Sequence, residues 1–237
     1  LWADDIFRRA VTNNLLLLVG AGATILVLAL LLSHALRGGG RMAKVARAVY
    51  LFPQIISLVV VAVLWQFIFN PTGLFNAGLD KLGLGNLSKP WLGESKWALP
   101  AVGVTFIWWA VGFYIMLFEA GLKQVPEEVN EAAALDGSLG WHRFRHVTWP
   151  LLWSVKRVAV IYLVINSMNV FALVFLMTRG GPDHSSEVML THLYEQAFVN
   201  SSFGYATAVA IGNFFVVMAL TLLILFVFRR NPVEGRR

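Results

Sequence analysis

The chain has 237 residues, of which 58% are hydrophobic and 14% are charged, whereas soluble globular domains contain roughly 45–50% and about 25%. A soluble domain could not cover so many apolar side chains with so few charges, so the surplus must face lipid and the composition predicts a polytopic membrane protein. The absence of cysteine excludes disulfides, thiolate metal sites and thiol nucleophiles. Although the formal net charge is +6, this composition argues against a soluble enzyme and against a nucleic-acid-binding module.

Five stretches reach the length of a membrane-spanning helix, which is about 20 mostly apolar residues. They are apolar on nearly every face, as expected for helices that contact lipid or one another. Pro53 and Pro100 lie near the ends of two stretches, where a missing backbone N–H costs little. We therefore predict an all-α, polytopic transmembrane helical bundle that forms one domain over residues 1–237, with spans at 15–36, 50–69, 97–118, 158–177 and 205–228.

The distribution of basic residues predicts which segments face the cytoplasm. The segment between the first two spans is basic, with charges at positions 37, 41, 44 and 47 and no acidic residue, whereas the segment between the last two spans is mainly acidic. This asymmetry places residues 37–49, 119–157 and 229–237 in the cytoplasm and the first residue outside. Because that residue is not Met, we expect an upstream segment, one more transmembrane helix that would bring the total to six.

The loop between the third and fourth spans contains a predicted helical hairpin at about residues 123–150. Pro126 suits the first turn of a helix, residues 131–135 are strong helix formers, and residues 136–137 supply a stop. A second short helical stretch is expected to end at residues 149–150, just before the next span. Such a hairpin is commonly only a solvated loop, but a rigid hairpin on a membrane surface can also act as a lever for a cytoplasmic partner.

Residues 131–137 read Glu-Ala-Ala-Ala-Leu-Asp-Gly, and together with Pro150 they resemble the EAA loop of the permease subunits of ABC-type importers. Trp149 precedes this proline where the family usually has Leu, which is a small departure. Other segments resemble the sugar, or maltose-type, branch of the family: residues 52–53, 70–74, 121–126, 178–182 and 203–206. The resemblance runs over nearly the whole chain, and its motifs are specific when taken together.

The resemblance implies a type I ABC importer permease in a bacterial inner membrane, with a six-span core whose first span would be absent here and no enzymatic activity of its own. It implies that the hairpin docks into a cytoplasmic ATPase through the coupling residues Glu131, Ala132, Ala133, Asp136 and Gly137. The implied partners are a second permease subunit, two ATPase subunits and an extracytoplasmic sugar-binding protein. ATP and magnesium would be bound by the ATPase, because this chain has no G-x-x-x-x-G-K-[ST] motif, and no cofactor is expected in the chain itself.

Polar side chains within the third and fourth spans predict a path for substrate, because polar groups in membrane helices tend to face a cavity or the bundle interior. A sugar needs hydrogen-bonding partners and flat aromatic faces, and these two spans supply both. The alternative is that such residues only bridge helices, at about 0.6 kcal/mol each, and we assign Gln54, Ser57 and Asn213 to that role. The resemblance favours a path lined by Trp109, Phe113, Ser167 and Asn169, although the maltose-type branch has other residue types at the first two positions.

Other functions stay open at this point. A permease of the same superfamily could carry another solute such as glycerol-3-phosphate, but no Arg or Lys lies inside a predicted span to meet the anion, which leaves only a helix dipole. An intramembrane enzyme would need paired acidic residues or histidines within the spans, and a secondary transporter would usually need ionisable residues there. Both alternatives are disfavoured, because His34 is the only such residue in the predicted spans. His142 and His146 are four residues apart, but flanking arginines would repel a cation, so neither a metal site nor a catalytic group is expected.

Overall fold

The computed structural model describes residues 1–36, 40–135, 137–138 and 140–229, apart from the side chain of residue 130, and the regular elements within these ranges are all helical. Arg37, Asp136 and the basic tail from residue 230, which the sequence analysis used, lie outside the described residues. In chain order the helices are α1 (Asp5–Leu16), α2 (Gly22–Ala35), α3 (Gly40–Ile55), α4 (Leu58–Ile68), α5 (Leu74–Lys81), α6 (Ala98–Lys123), α7 (Glu127–Leu135), α8 (Gly140–Arg143), α9 (Trp149–Leu151), α10 (Trp153–Met168), α11 (Phe171–Met177), α12 (Met189–Tyr194) and α13 (Phe203–Val227), with π-helical turns at Leu17–Ala21, Phe144–Thr148 and Glu195–Val199.

Four helical segments of the described chain are long and apolar enough to cross a membrane: Asp5–Ala35, Ala98–Lys123, Trp153–Met177 and Phe203–Val227. Helices α3 and α4 pass the same test only as a pair, and they meet at an angle of 101°. When this bent pair is counted as one span, the described chain has the five predicted spans. The predicted all-α bundle of apolar helices is confirmed.

The first span begins at Asp5 and not at residue 15 as predicted. Charged side chains in its first turns hid this beginning from a search for apolar residues. Asp4 caps the helix, since its carboxylate accepts a hydrogen bond from the backbone N–H of Ile6 at 2.8 Å. The charge of Arg9 is also accommodated, because its guanidinium donates to the backbone carbonyl of Asp183 at 2.8 Å.

Asp4 also joins α1 to two later helices. Its second carboxylate oxygen accepts a hydrogen bond from the hydroxyl of Tyr205 in α13 and lies 3.3 Å from Nε2 of the buried His192 in α12. Burial raises the pKa of the Asp4 carboxyl, but the hydrogen bonds from Tyr205 and from the backbone outweigh burial, so this pKa lies below its usual value. The carboxylate therefore stays charged at neutral pH and connects α1, α12 and α13.

The predicted span over residues 50–69 corresponds to the bent pair, because the chain bends sharply at Ile56 and Ser57. Pro53 lies inside α3 near its end and lacks the N–H that would bond to the preceding turn. Ser57 has an extended backbone (φ −55°, ψ 135°), and α4 then begins with the N–H of Val61 bonded to the carbonyl of Ser57 at 3.0 Å. The bend gives the two halves different neighbours, since α3 packs on α6 and α4 packs on α11.

The fourth span begins at Trp153 and not at residue 158, and it contains a buried cation that the sequence analysis did not expect. The amine of Lys156 donates to the carbonyl of Trp149 at 2.8 Å and lies 3.8 Å from the centroid of that indole ring. The predicted absence of basic residues from the spans is therefore wrong for this helix. Further along, the span is interrupted at Asn169, whose carbonyl accepts the N–H of Phe171 at 2.8 Å.

Helix α6 is the centre of the bundle and packs against α2, α3, α4, α10 and α11. Two of its glycines allow close approach of neighbouring helices. A Cβ at Gly112 would lie 2.0 Å from the backbone oxygen of Tyr50 in α3, and a Cβ at Gly121 would lie 2.6 Å from Cγ2 of Val155 in α10. Helix α13, by contrast, exposes apolar side chains along most of its length, as expected where a helix faces lipid or another subunit.

We expect Gly112→Ala to lower the free energy of unfolding by about 1–3 kcal/mol, the usual cost of overpacking. The added methyl group would meet backbone atoms of α3, which cannot rotate away as a side chain can. Thermal unfolding of the detergent-solubilised protein measures this effect. Gly20→Ala is the matched control, because a Cβ at Gly20 meets no atom within 4 Å. Equal melting temperatures for the two variants would contradict the close packing of α3 on α6.

Candidate functional site

The first limb of the predicted hairpin is α7, and it ends in a glycine turn. The N–H groups of Gly137 and Ser138 bond to the carbonyls of Ala134 at 3.0 Å and Ala133 at 2.8 Å, which is the Schellman pattern. Gly137 has φ +73°, a left-handed conformation that favours glycine. Because a Cβ there would meet no atom within 4 Å, the conformation and not the available space requires the glycine.

Helix α7 presents a mixed polar and apolar surface. Glu131 and Ala132 are exposed, whereas the methyl group of Ala133 is buried and packs inside the protein. Leu135 is 90% exposed, and Trp141 at the start of the second limb is 71% exposed. Large apolar side chains exposed together mark interaction sites. Sequence reasoning missed Leu135 and Trp141, because an apolar residue in a short helix is expected to be buried until its neighbours are known.

The second limb of the hairpin ends at Leu151, one residue beyond the predicted end at residues 149–150. Helix α8, the π-helical turn and α9 follow one another directly, and only Leu152 separates α9 from α10. Pro150 is tolerated because it lies in the first turn of α9. Nδ1 of His142 lies 2.9 Å from Oγ of Ser138, so this histidine connects the turn to the second limb. The hairpin is therefore joined to α6 by residues 124–126 and to α10 by Leu152 alone.

One face of α10 combines aromatic and amide side chains next to α6. Tyr162 and Asn169 are exposed, and Asn166 lies between them on the same face. The ring of Phe113 in α6 lies 4.7 Å from the ring of Tyr162. Asn166 and Asn169 each donate one amide N–H to the carbonyl four residues earlier, whereas an amide side chain has two N–H donors and an acceptor oxygen. This face can therefore offer hydrogen bonds and an aromatic surface to a polar ligand.

The structure separates the four predicted path residues. Phe113 and Asn169 border the accessible face of α10, and Trp109 is half-buried, with its carbonyl accepting a hydrogen bond from Gln54 at 2.6 Å. Ser167 is fully buried, and its backbone carbonyl accepts a hydrogen bond from Asn14 of α1 at 2.8 Å. Ser167 therefore lies on the α1 side of α10, away from the face that carries Asn169.

A cluster that sequence reasoning missed lies on the side of the bundle opposite the hairpin. His184, Glu187 and Glu195 bring potential metal-ligand atoms within 4.8 Å of one another. The buried carboxylate of Glu187 is already engaged, because His184 lies 2.9 Å from one oxygen and Thr191 donates to the other. The cluster thus holds the segment that follows α11 against α12. The spacing of His184 and Glu187, three residues apart, was the one signal in the sequence.

Comparisons with known proteins give one consistent answer. The family model described as "binding-protein-dependent transport system inner membrane component" matches residues 23–230. The probable ABC transporter permease protein YurN of Bacillus subtilis is 34% identical over 237 residues, which cover 99% of this chain and 81% of the relative. The diacetylchitobiose uptake system permease protein NgcF of Streptomyces coelicolor is 35% identical over 248 residues, which cover 99% of this chain and 69% of the relative. The trehalose/maltose transport system permease protein MalF of Thermococcus litoralis is 32% identical over 206 residues, which cover 86% and 68%.

Solved structures support the same fold. A chain from a bacterial ABC transporter involved in the import of the acidic polysaccharide alginate has a TM-score of 0.82 at 23% identity, with 97% of this chain and 81% of that chain covered. A chain from the bacterial alginate ABC transporter in complex with alginate pentasaccharide-bound periplasmic protein has a TM-score of 0.83. At this identity the likeness shows the fold alone, whereas the family model covers most of the chain. The chain belongs to the inner membrane components of binding-protein-dependent transport systems, the permease family of ABC importers.

Proposed function

We propose that this chain is the permease subunit of an ATP-driven, binding-protein-dependent sugar importer in a bacterial inner membrane. It would form half of the translocation path with a second permease subunit, receive sugar from an extracytoplasmic binding protein, and bind two cytoplasmic ATPase subunits as part of the complex. ATP and magnesium would be bound by the ATPase subunits and not by this chain. The observation that carries the proposal is an exposed hairpin whose limbs are joined to the helices that bear the polar face, by residues 124–126 to α6 and by Leu152 to α10.

The hairpin supports coupling because of what it exposes. Glu131, Leu135 and Trp141 offer one charge and two large apolar side chains to a cytoplasmic partner, a combination typical of interfaces with a few anchoring residues. Glu131, Ala132 and Gly137 keep their predicted roles in this proposal. Ala133 would support the hairpin from inside, and Asp136 lies outside the described residues.

The connections of the hairpin indicate how its movement would reach the helices that carry the predicted path residues. α6 carries Trp109 and Phe113, and α10 carries Ser167 and ends just before Asn169. The two helices meet at Gly121, where the side chain of Val155 in α10 fills the space that a Cβ would need. A movement of the hairpin driven by ATP would therefore shift α6 and α10 together and re-orient the face between them.

The polar face supports a neutral, hydroxyl-rich substrate. It offers amide groups at Asn166 and Asn169 and aromatic rings at Phe113 and Tyr162, as sugar recognition requires. Relatives named for uptake of diacetylchitobiose, of xylose and arabinose, and of trehalose and maltose agree with this class. Glycerol-3-phosphate is the less favoured solute, since Lys156, the buried cation in the fourth span, is engaged by Trp149 near the hairpin end of α10.

The experiment that tests this function is reconstitution of the full complex, with its binding protein, in proteoliposomes. We expect at least one neutral mono- or oligosaccharide to stimulate ATP hydrolysis several-fold and to accumulate inside the vesicles in proportion to the ATP consumed. Glycerol-3-phosphate serves as the charged comparison. Stimulation by glycerol-3-phosphate alone, or uptake driven by an ion gradient without ATP, would overturn the proposal.

A further inference from the structure

Helix α3 is fixed to the bundle by a single stripe of residues. Ala43, Arg47, Tyr50 and Gln54 recur at the three- and four-residue spacing that aligns one helical face. The rest of α3 is largely exposed, as the apolar side chains of Met42, Val45, Val49 and Phe52 illustrate. Because α3 packs chiefly on α6, the contacts of this stripe decide whether α3 moves with α6 or independently of it.

The stripe holds α6 at three levels. Nε of Arg47 donates to both carboxylate oxygens of Glu119, at 2.9 and 3.2 Å. One level further from the hairpin, the backbone of Tyr50 lies directly against Gly112. At the third level, the amide of Gln54 donates to the carbonyl of Trp109 at 2.6 Å. Of these three contacts, the ion pair is the nearest to the hairpin.

Glu119 occupies an unusual position for a carboxylate. Only 8% of the residue is exposed, and a buried charge is costly unless it is paired and hydrogen-bonded. It lies just before the end of α6 at Lys123, from which the chain passes into the hairpin. Two residues after Glu119, Gly121 packs against α10. The base of the hairpin therefore presents α10 on one side and the Arg47–Glu119 pair on the other.

The contact between α3 and α6 near the hairpin base matters because α3 ends at the bend formed by Ile56 and Ser57. Beyond the bend, α4 packs on α11, which follows the interruption of the fourth span at Asn169. The half of each interrupted span nearer the hairpin, α3 or α10, contacts α6, and the further halves, α4 and α11, contact each other as well as α6. A movement at the hairpin base is delivered to the end of α3, and so to the near side of the bend, only if α3 follows α6.

We propose that the Arg47–Glu119 pair is a positioning pair that makes α3 move as one body with the base of the hairpin, so that a movement of the hairpin is delivered to the bend at Ile56 and Ser57. The proposal rests on the coupling role of the hairpin. Neither residue needs to touch substrate or nucleotide. A pair that served only stability would change the amount of folded complex but not the relation between ATP hydrolysis and transport.

Spin-label distances test whether α3 and α6 move together. The chain has no cysteine, so Lys44→Cys in α3 and Lys123→Cys in α6, both at exposed positions, place one label on each helix. In the full complex we expect the same narrow distance without nucleotide and with ATP trapped. With Glu119→Gln or Arg47→Gln, we expect the distance to change between the two states.

Arg41→Gln is the matched control, since it removes an exposed charge from the same helix. An unchanged distance in the Glu119→Gln and Arg47→Gln complexes would overturn the proposal.

A second label pair separates this proposal from the proposed function. Lys44→Cys with Lys81→Cys in α5 reports the movement of α3 relative to the opposite side of the bundle. A change in this distance on ATP trapping supports coupling through the hairpin and leaves the first pair to decide on Arg47 and Glu119. If trapping ATP changes neither distance in the wild-type complex, both proposals are overturned.

Transport measurements give the functional readout. We expect Glu119→Gln and Arg47→Gln to lower the sugar transported per ATP hydrolysed about tenfold, within the usual range of coupling between distant sites. The double variant Arg47→Glu with Glu119→Arg restores the pair with reversed charges and is expected to recover most of this ratio. Single variants with the wild-type ratio, or a reversed pair as poor as the single variants in a fully assembled complex, would contradict the proposal.

Discussion

Replacing Gly137 by Val lowers the ATP hydrolysis that the sugar-loaded binding protein stimulates by about tenfold or more, while the complex still assembles in the membrane. The left-handed conformation at Gly137 costs a residue that carries a Cβ about 1–2 kcal/mol, and a β-branched side chain is the least tolerant. Relief of this strain would break the two hydrogen bonds that end α7. Because α7 has only 9 residues, a change at its end re-orients the whole docking surface.

The control for this prediction is Gly137→Asn, because asparagine adopts the left-handed conformation more readily than other residues. We expect this variant to keep most of the stimulated hydrolysis. Glu131→Lys tests the exposed surface without disturbing the turn and is expected to uncouple in the same way, whereas Glu127→Lys makes the same charge change one turn earlier in α7 and should have the smaller effect. Normal import by both Gly137→Val and Glu131→Lys would mean that the hairpin does not couple.

The sequence predicts the spans well where apolarity alone decides them. The predicted spans 97–118 and 205–228 correspond to Ala98–Lys123 and Phe203–Val227, because a helix that crosses a bilayer must be apolar over the bilayer thickness. The beginning of the first span was missed because its polar groups are satisfied by distant parts of the chain, as when Arg9 donates to Asp183. Hydrogen bonds between residues so far apart in the chain leave no local pattern.

The bend between α3 and α4 shows a second limit of the sequence. Residues 50–69 contain no charged side chain, and hydropathy does not show where an apolar segment changes direction. Pro53 was the only local signal, but a proline near a helix end usually requires no bend. The bend depends on the packing of α3 on α6 and of α4 on α11, which are contacts between separate elements.

The candidate site likewise contains features that local sequence predicts and features that depend on contacts between separate elements. The role of Gly137 was predictable, since turn chemistry is local and the left-handed conformation explains the glycine. The exposure of Leu135 and the burial of Ala133 were not predictable, because both depend on how the hairpin folds on itself. The two-residue spacing of Ser167 and Asn169 was a signal in the sequence that the prediction of a shared path did not use. Residues two apart on a helix do not share a face, so this spacing argues against both side chains lining one path.

Asn169→Ala raises the sugar concentration for half-maximal uptake by about twofold to tenfold, which corresponds to the loss of one neutral hydrogen bond. Asn169 is exposed at the interruption between α10 and α11 and can offer its amide to a hydroxyl group. The hairpin is unaffected by this change, so the maximal rate of stimulated ATP hydrolysis should stay at the wild-type value. Uptake by proteoliposomes over a range of sugar concentrations measures both quantities.

Ser167→Ala is the comparison that distinguishes the structure from the sequence pattern. Sequence reasoning placed Ser167 on the path together with Asn169, whereas the structure buries it on the side of α1. We therefore expect Ser167→Ala to leave the half-maximal concentration unchanged. If Ser167→Ala weakens uptake and Asn169→Ala does not, the path runs between α10 and α1. Since α10 is one of the two helices that extend the hairpin, ATP-driven movement would then open the bundle on its α1 side and not along the face shared with α6.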